Sequence, residues 1–151
     1  MSTTVTTLYD NLFSVITTLF STKVELENSY ELTDNSPVML RNGFGIIFEE
    51  GNIFDEMNFP QIYQMERSIG IILTKTVYRT DLNATAKRSV EKTLFEELYS
   101  LIKDIHQNDL ITRPTEFFQF TGDGGIEQID TDKQNIISLK ANFLTRYTEV
   151  I

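Results

Sequence analysis

The sequence predicts an α+β fold, a mostly antiparallel sheet with two main helices packed on it, in the order α-β-β-β-α-β-β-β. Three observations predict it. Two segments repeat apolar residues three and four positions apart, the period of a helix with one buried stripe. Several other segments alternate apolar and polar residues, the period of a half-buried strand. Helices and strands are also grouped and do not alternate one by one, as parallel βαβ units would require. At 151 residues the chain is expected to form a single domain over 1–151.

Thr6 to Ser21 reads as the first helix, with Val5, Leu8, Leu12, Val15, Ile16 and Leu19 on one stripe. Asp10 falls in its opening turns, where the helix dipole favours an acid. Its many Thr residues are poor helix formers, so packing must hold it. Residues 22–42 are mixed, with short apolar pieces at Val24, Leu26 and Val38-Met39-Leu40 around the turn-rich Thr33-Asp34-Asn35-Ser36-Pro37. Phe44-Gly-Ile46-Ile-Phe48 alternates and predicts a strand, and Glu49 to Pro60 reads as the loop after it.

Gln61 to Arg79 predicts a long strand with Ile69, Ile71, Leu73 and Val77 on one face. The other face carries Gln64, Glu66, Ser68, Thr74 and Thr76, which suits solvent or another subunit. At ~3.3 Å per residue this strand is twice the usual length, so it should project from the domain or be broken by a bulge. Asp81 can cap a second helix running to Gln107, with Ala86, Val90, Leu94, Leu98, Leu101, Ile102 and Ile105 as its stripe. Phe118 to Phe120 predicts a strand, Thr121-Gly-Asp-Gly-Gly125 a reversal, and Ile126 to Ile129 the returning strand. Asp130 to Asn135 is a further polar turn. The last strand alternates Ile137, Leu139, Ala141, Phe143, Thr145 and Tyr147 with Ser138, Lys140, Asn142, Arg146 and Thr148.

Composition narrows the chemistry. There is no Cys, so disulfides and thiolate sites are excluded, and a reducing compartment is expected. A single His excludes multi-histidine metal sites. No apolar run approaches the roughly 20 residues that cross a bilayer, and the start lacks the features of a secretory signal, so no membrane partner is expected. The net charge of −9 argues against gripping nucleic acid through its phosphates. Residues 1–60 hold nine acids and two bases, so most of the excess lies in the first part.

No constellation predicts catalysis, a cofactor or a metal. His106 sits at the end of the second helix, where the dipole stabilises an imidazolium, and it reads as a surface residue. Asp130-Thr-Asp132 begins like a calcium loop but lacks the Gly and terminal Glu that loop requires, so it and Asp123 read as turn residues. Gly122-Asp-Gly-Gly125 is not followed by Gly-Lys-Ser/Thr and so does not read as a phosphate loop. Lys87, Arg88 and Lys92 interleave with Glu91 and Glu96 and read as a solvated helix face.

One feature points to assembly. Ile53, Phe54, Met57 and Phe59 crowd the segment read as a loop, and loops run over the surface. Such a cluster either folds back on the core or marks a protein contact. With Gln64 and Glu66 on the polar face of the long strand, these are the candidate interface residues. Replacing Phe54 and Met57 by Ser is expected to block assembly while leaving the monomer folded.

Five stretches together carry a resemblance: Leu8-Tyr-Asp-Asn-Leu12-Phe13, the strand end Thr74-Lys-Thr-Val77-Tyr-Arg79, the helix after it, Phe120-Thr-Gly-Asp-Gly-Gly125, and the closing Arg146-Tyr-Thr-Glu. In this order they resemble the tail terminator and tail-completion proteins of tailed bacteriophages. The resemblance implies a structural virion protein at the neck, assembled in the host cytoplasm and not an enzyme. It implies a homo-oligomeric ring, typically a hexamer, that caps the tail tube and binds the tail tube protein and the head-closure or connector protein. DNA would pass through its channel without specific binding, and no cofactor is implied. Acidic walls would suit such a channel, because carboxylates repel phosphate. A ring needs two different complementary surfaces on each subunit. The alternatives are another neck component, such as a head-closure or adaptor protein, or a small α+β enzyme or ligand-binding domain using His106.

Overall fold

The computed structural model describes residues 4–25, 42–57, 62–78, 83–107, 117–130 and 134–150. Two helices, α1 (Val5–Leu19) and α2 (Ala84–Gln107), pack on a five-stranded sheet. Its strands are β1 (Val24–Glu25), β2 (Asn42–Met57), β3 (Ile62–Tyr78), β4 (Phe117–Asp130) and β5 (Gln134–Val150), in spatial order β1-β2-β3-β5-β4. Only the short β1–β2 pair is parallel, so the fold is α+β as expected.

The helices form where the apolar period placed them. On α1, Leu8, Leu12 and Ile16 are buried; on α2, Leu94, Leu98, Leu101 and Ile105 are. They meet one face of the sheet, where β2 supplies Phe44 and Ile46, β3 supplies Ile69, Ile71 and Leu73, and β5 supplies Ile137, Leu139, Ala141 and Phe143. Each such aliphatic side chain contributes about 1.5–3 kcal/mol on leaving water. Packing therefore outweighs the poor helix propensity of the Thr residues in α1. Rings from helix and sheet also meet, Tyr9 against Phe48 at 5.1 Å and Phe13 against Phe44 at 6.1 Å between centroids. The opposite face is not uniformly polar, since Ile47, Ile72 and Ile136 are buried there too.

The helix starts differ from expectation. Thr4 caps α1 through its own hydroxyl, which accepts from the Thr7 N–H at 3.3 Å. No acid lies in the first turn, and Asp10 is exposed further along. The carboxylate that meets the helix start is Glu149 of β5, which accepts from the Val5 N–H at 2.5 Å. On α2 the cap is Asn83, whose Oδ1 accepts from the Ala86 N–H at 2.8 Å; Asp81 lies outside the described residues.

Two strand readings are corrected. Residues 49–57 are not loop but the second half of β2, paired with β3 as far as Met57↔Ile62. Two irregularities, between Phe48 and Gly51 and between Ile53 and Asp55, each insert one residue and break the alternation that would have marked the strand. In the same way Thr121 to Gly125 does not reverse the chain. Phe120 pairs with Phe143 and Ile126 with Leu139, so both flanks lie against β5 within one strand. Gly122 and Gly125, at φ +139° and +78°, absorb the extra residues as a bulge. Among the described residues the order is thus α-β-β-β-α-β-β, and the two strands expected at 118–120 and 126–129 are one. The long β3 neither projects alone nor breaks. It runs in continuous register with β5 from Ile62↔Val150 to Tyr78↔Gln134, and the irregularities fall in its other neighbour.

A candidate assembly interface

At the far end of the sheet the second half of β2, the start of β3 and the end of β5 form a ribbon, which β4 joins at Phe117↔Arg146. This ribbon holds the candidate residues of the sequence reading. Ile53 stands opposite Met65 and is 58% exposed. Phe54 and Met57 belong to β2, and Phe59 lies outside the described residues. Gln64 is half-buried between Asp55 and Thr148 in the register. Glu66 is opposite Arg146, whose Nε donates to its Oε2 at 2.8 Å.

The register separates these residues by face. Met65 is level with the buried Tyr147, so Ile53 shares the helix-bearing face. Gln64 and Glu66 are one position out of phase and take the other face. Ile53 therefore lies on one side of the ribbon and Gln64 and Glu66 on the other, while Met57, level with Ile62, is in phase with Gln64 and Glu66.

Sequence reasoning missed the residue that braces this ribbon. The Arg67 Nε donates to the Tyr147 hydroxyl at 2.9 Å, and its Nη1 donates to the Glu49 carbonyl at 2.5 Å. That carbonyl belongs to the first irregularity of β2, where the extra residue takes it out of the regular ladder. The guanidinium lies over Gly51, and a Cβ there would sit 2.5 Å from Nη2 and 2.6 Å from Cζ. A glycine in an otherwise apolar and acidic stretch was the one available signal. It marks a close approach.

On the other face, Lys140 of β5 reaches across Gly70 of β3 to Glu49 of β2, at 3.2 Å. Together with Glu66–Arg146 this places two cross-strand ion pairs on the ribbon's polar side, each partly exposed and individually weak.

The other group that sequence did not reveal is Lys23. Its side chain is 3% exposed; its Nζ lies 2.8 Å from Glu97 Oε2 and donates to the Thr74 carbonyl at 3.3 Å. Lys75 approaches the second oxygen of Glu97 at 3.4 Å. Burial holds the Lys23 pKa below its ordinary value; Glu97 opposes that shift and Lys75 adds to it. This cluster ties the end of α1 to α2 and β3.

His106 is exposed in the last turn of α2. Among the described residues no three His, Asp or Glu side chains gather as a metal site would require. No helix among them is long and apolar enough to cross a membrane. The chain matches no protein-family model and no curated protein.

Proposed function

We propose that this chain is a structural assembly protein of the tailed-bacteriophage neck, a tail terminator or tail-completion protein. Copies close into a ring, with a hexamer as the expected size. The ring caps the tail tube, meets the head-closure or connector protein, and leaves a channel through which DNA passes.

The observation that carries this reading is Ile53, a large aliphatic side chain left 58% exposed on a ribbon that Arg67 holds rigid. A flexible loop could fold such a residue inward, but a strand paired along its length cannot. A fixed, exposed apolar side chain on a braced strand suits contact with another protein. The net charge of −9 supports the channel, because carboxylates facing the lumen repel phosphate. The five stretches that resemble the family and the α+β order agree with it.

Size-exclusion chromatography with light-scattering mass tests the proposal on the protein alone and with tail tube protein added. The expected result is a multiple of the subunit mass in at least one condition, lost in Ile53→Asp while its circular dichroism stays unchanged. A single-subunit mass in both conditions would overturn the proposal.

A further inference from the structure

Charge on the described surface is segregated. Every exposed Lys or Arg among the described residues lies on α2: Lys87, Arg88, Lys92 and Lys103. The other described bases are at least partly buried, and Lys23, Lys75, Lys140 and Arg146 already pair with acids. Arg88, Lys92, Tyr99, Lys103 and His106 follow one another at spacings of four, seven, four and three. They form one stripe on the side of α2 away from Leu94, Leu98, Leu101 and Ile105. Lys92 is 80% exposed, and its pairing with Glu96 at 3.9 Å is too open to neutralise the stripe. In the middle stands Tyr99, 59% exposed and stacked on Phe95 at 6.4 Å. An exposed ring and an arginine are residue types enriched where proteins touch.

The complementary surface is on the same molecule. The edge strand β4 carries Asp123, Glu127 and Asp130, all exposed, and no Lys or Arg; Asp123 and Asp130, opposite Ala141 and Asn135, take the helix-bearing face and Glu127, opposite Ser138, the other, so the acids flank the edge from both sides. The lengths agree. Arg88 to Lys103 spans about 22 Å at 1.5 Å per helical residue, and Asp123 to Asp130, lying opposite Ala141 to Asn135 of β5, spans about 20 Å at ~3.3 Å per strand residue. One subunit thus bears a basic rod and an acidic rail of matching reach at two separate places. Two different complementary surfaces on one chain are what a head-to-tail contact requires.

Building on the ring reading above, we propose that the outward face of α2 in one copy docks on the acidic β4 edge of the next. Arg88, Lys92 and Lys103 meet Asp123, Glu127 and Asp130, with Tyr99 covered at the centre. The contact is heterologous, so it propagates until the ring closes. Being ionic, it weakens as salt rises.

Charge exchange tests it on the full chain. Lys92→Glu with Lys103→Glu makes both surfaces acidic, and Asp123→Lys with Glu127→Lys makes both basic. Each double variant alone should lose assembly by about tenfold or more in concentration, from like charges facing each other. Mixed in equal amounts, the two should assemble again, because each supplies the face the other lacks. All changes lie at exposed positions, and circular dichroism melts verify folding before mixing. The salt dependence of wild-type assembly is a second readout that needs no variant. The docking is overturned if the lysine variant assembles like wild type, if the folded pair does not recover on mixing, or if wild-type assembly ignores salt. In each of those outcomes the wild type still assembles, so the ring reading stands. A wild type that stays at one-subunit mass with and without tail tube protein overturns both. If that single subunit retains a DNA duplex through Lys92 and Lys103, the stripe is a phosphate contact instead.

Discussion

Removing the Lys23 ammonium perturbs the fold in a way whose size can be worked out in advance. The group sits among Glu97, the Thr74 carbonyl and Lys75, and its side chain is 3% exposed while that of Glu97 is 17% exposed. Lys23→Ala leaves the Glu97 carboxylate largely out of water with Lys75 alone at 3.4 Å. Breaking a buried pair from one side costs about 3–5 kcal/mol, and Lys75 keeps part of the compensation, so the expected loss is about 3 kcal/mol. For a domain of this size that lowers Tm by about 6–12 °C. Replacing both partners, as in Lys23→Met with Glu97→Leu, removes the stranded charge and should recover most of the loss. Urea unfolding at neutral pH, followed by circular dichroism, measures both. A single variant within about 0.5 kcal/mol of wild type would refute the reasoning, as would a double variant no better than the single.

The same group fixes a sign for pH. Burial holds the folded pKa of Lys23 below the ordinary lysine value of 10.5. Between the lowered folded value and 10.5, the unfolded chain binds more protons than the folded one, so stability rises with pH across that window. At lower pH the burial penalty on the ammonium is fully present. Wild type should therefore gain stability relative to Lys23→Ala as pH climbs toward 10.5, and parallel urea midpoints across the window would contradict this.

Two further outcomes are expected. Glu149→Ala removes the carboxylate that meets the Val5 N–H, and should cost about 1 kcal/mol with increased hydrogen exchange in the first turn of α1; unchanged exchange there would count against that role. Gly125→Ala forces a side chain into φ +78° and should cost roughly 1–2 kcal/mol in urea unfolding although nothing lies within 4 Å of the added Cβ. A neutral result would mean that the bulge can refold around it.

Both helices, β3 and β5 apart from its opening residues Gln134 and Asn135, which read as a turn, are legible because their patterns are local. Leu8, Leu12 and Ile16 repeat at helical spacing, and Ile69, Ile71 and Leu73 alternate, whatever the rest of the chain does. The candidate interface residues were only partly legible. Ile53 stands out as one of an apolar cluster with Phe54, Met57 and Phe59, but its exposure depends on β3 holding β2 extended. Arg67 and Lys23 were missed, since nothing in their neighbours announces that one will brace a ribbon and the other be buried against Glu97. The basic residues of α2 read as a solvated face and are exposed in the structure; that they are the exposed bases of the described surface emerges only from the burial of the others.

Periodicity alone already required two amphipathic helices and a set of half-buried strands, because a side chain's face follows from residue spacing within its own element. Where each strand stops did not follow from spacing. Residues 49–57 and 121–125 look like a loop and a turn when read singly, and become strand because β3 and β5 offer unbroken partners to either side of each inserted residue. Backbone pairing across the sheet outweighs the local turn preference of Gly, Asp and Asn. The partners of Val5, Glu49 and Glu97 come from residues far away in the chain, so it is folding that brings those charges and donors together.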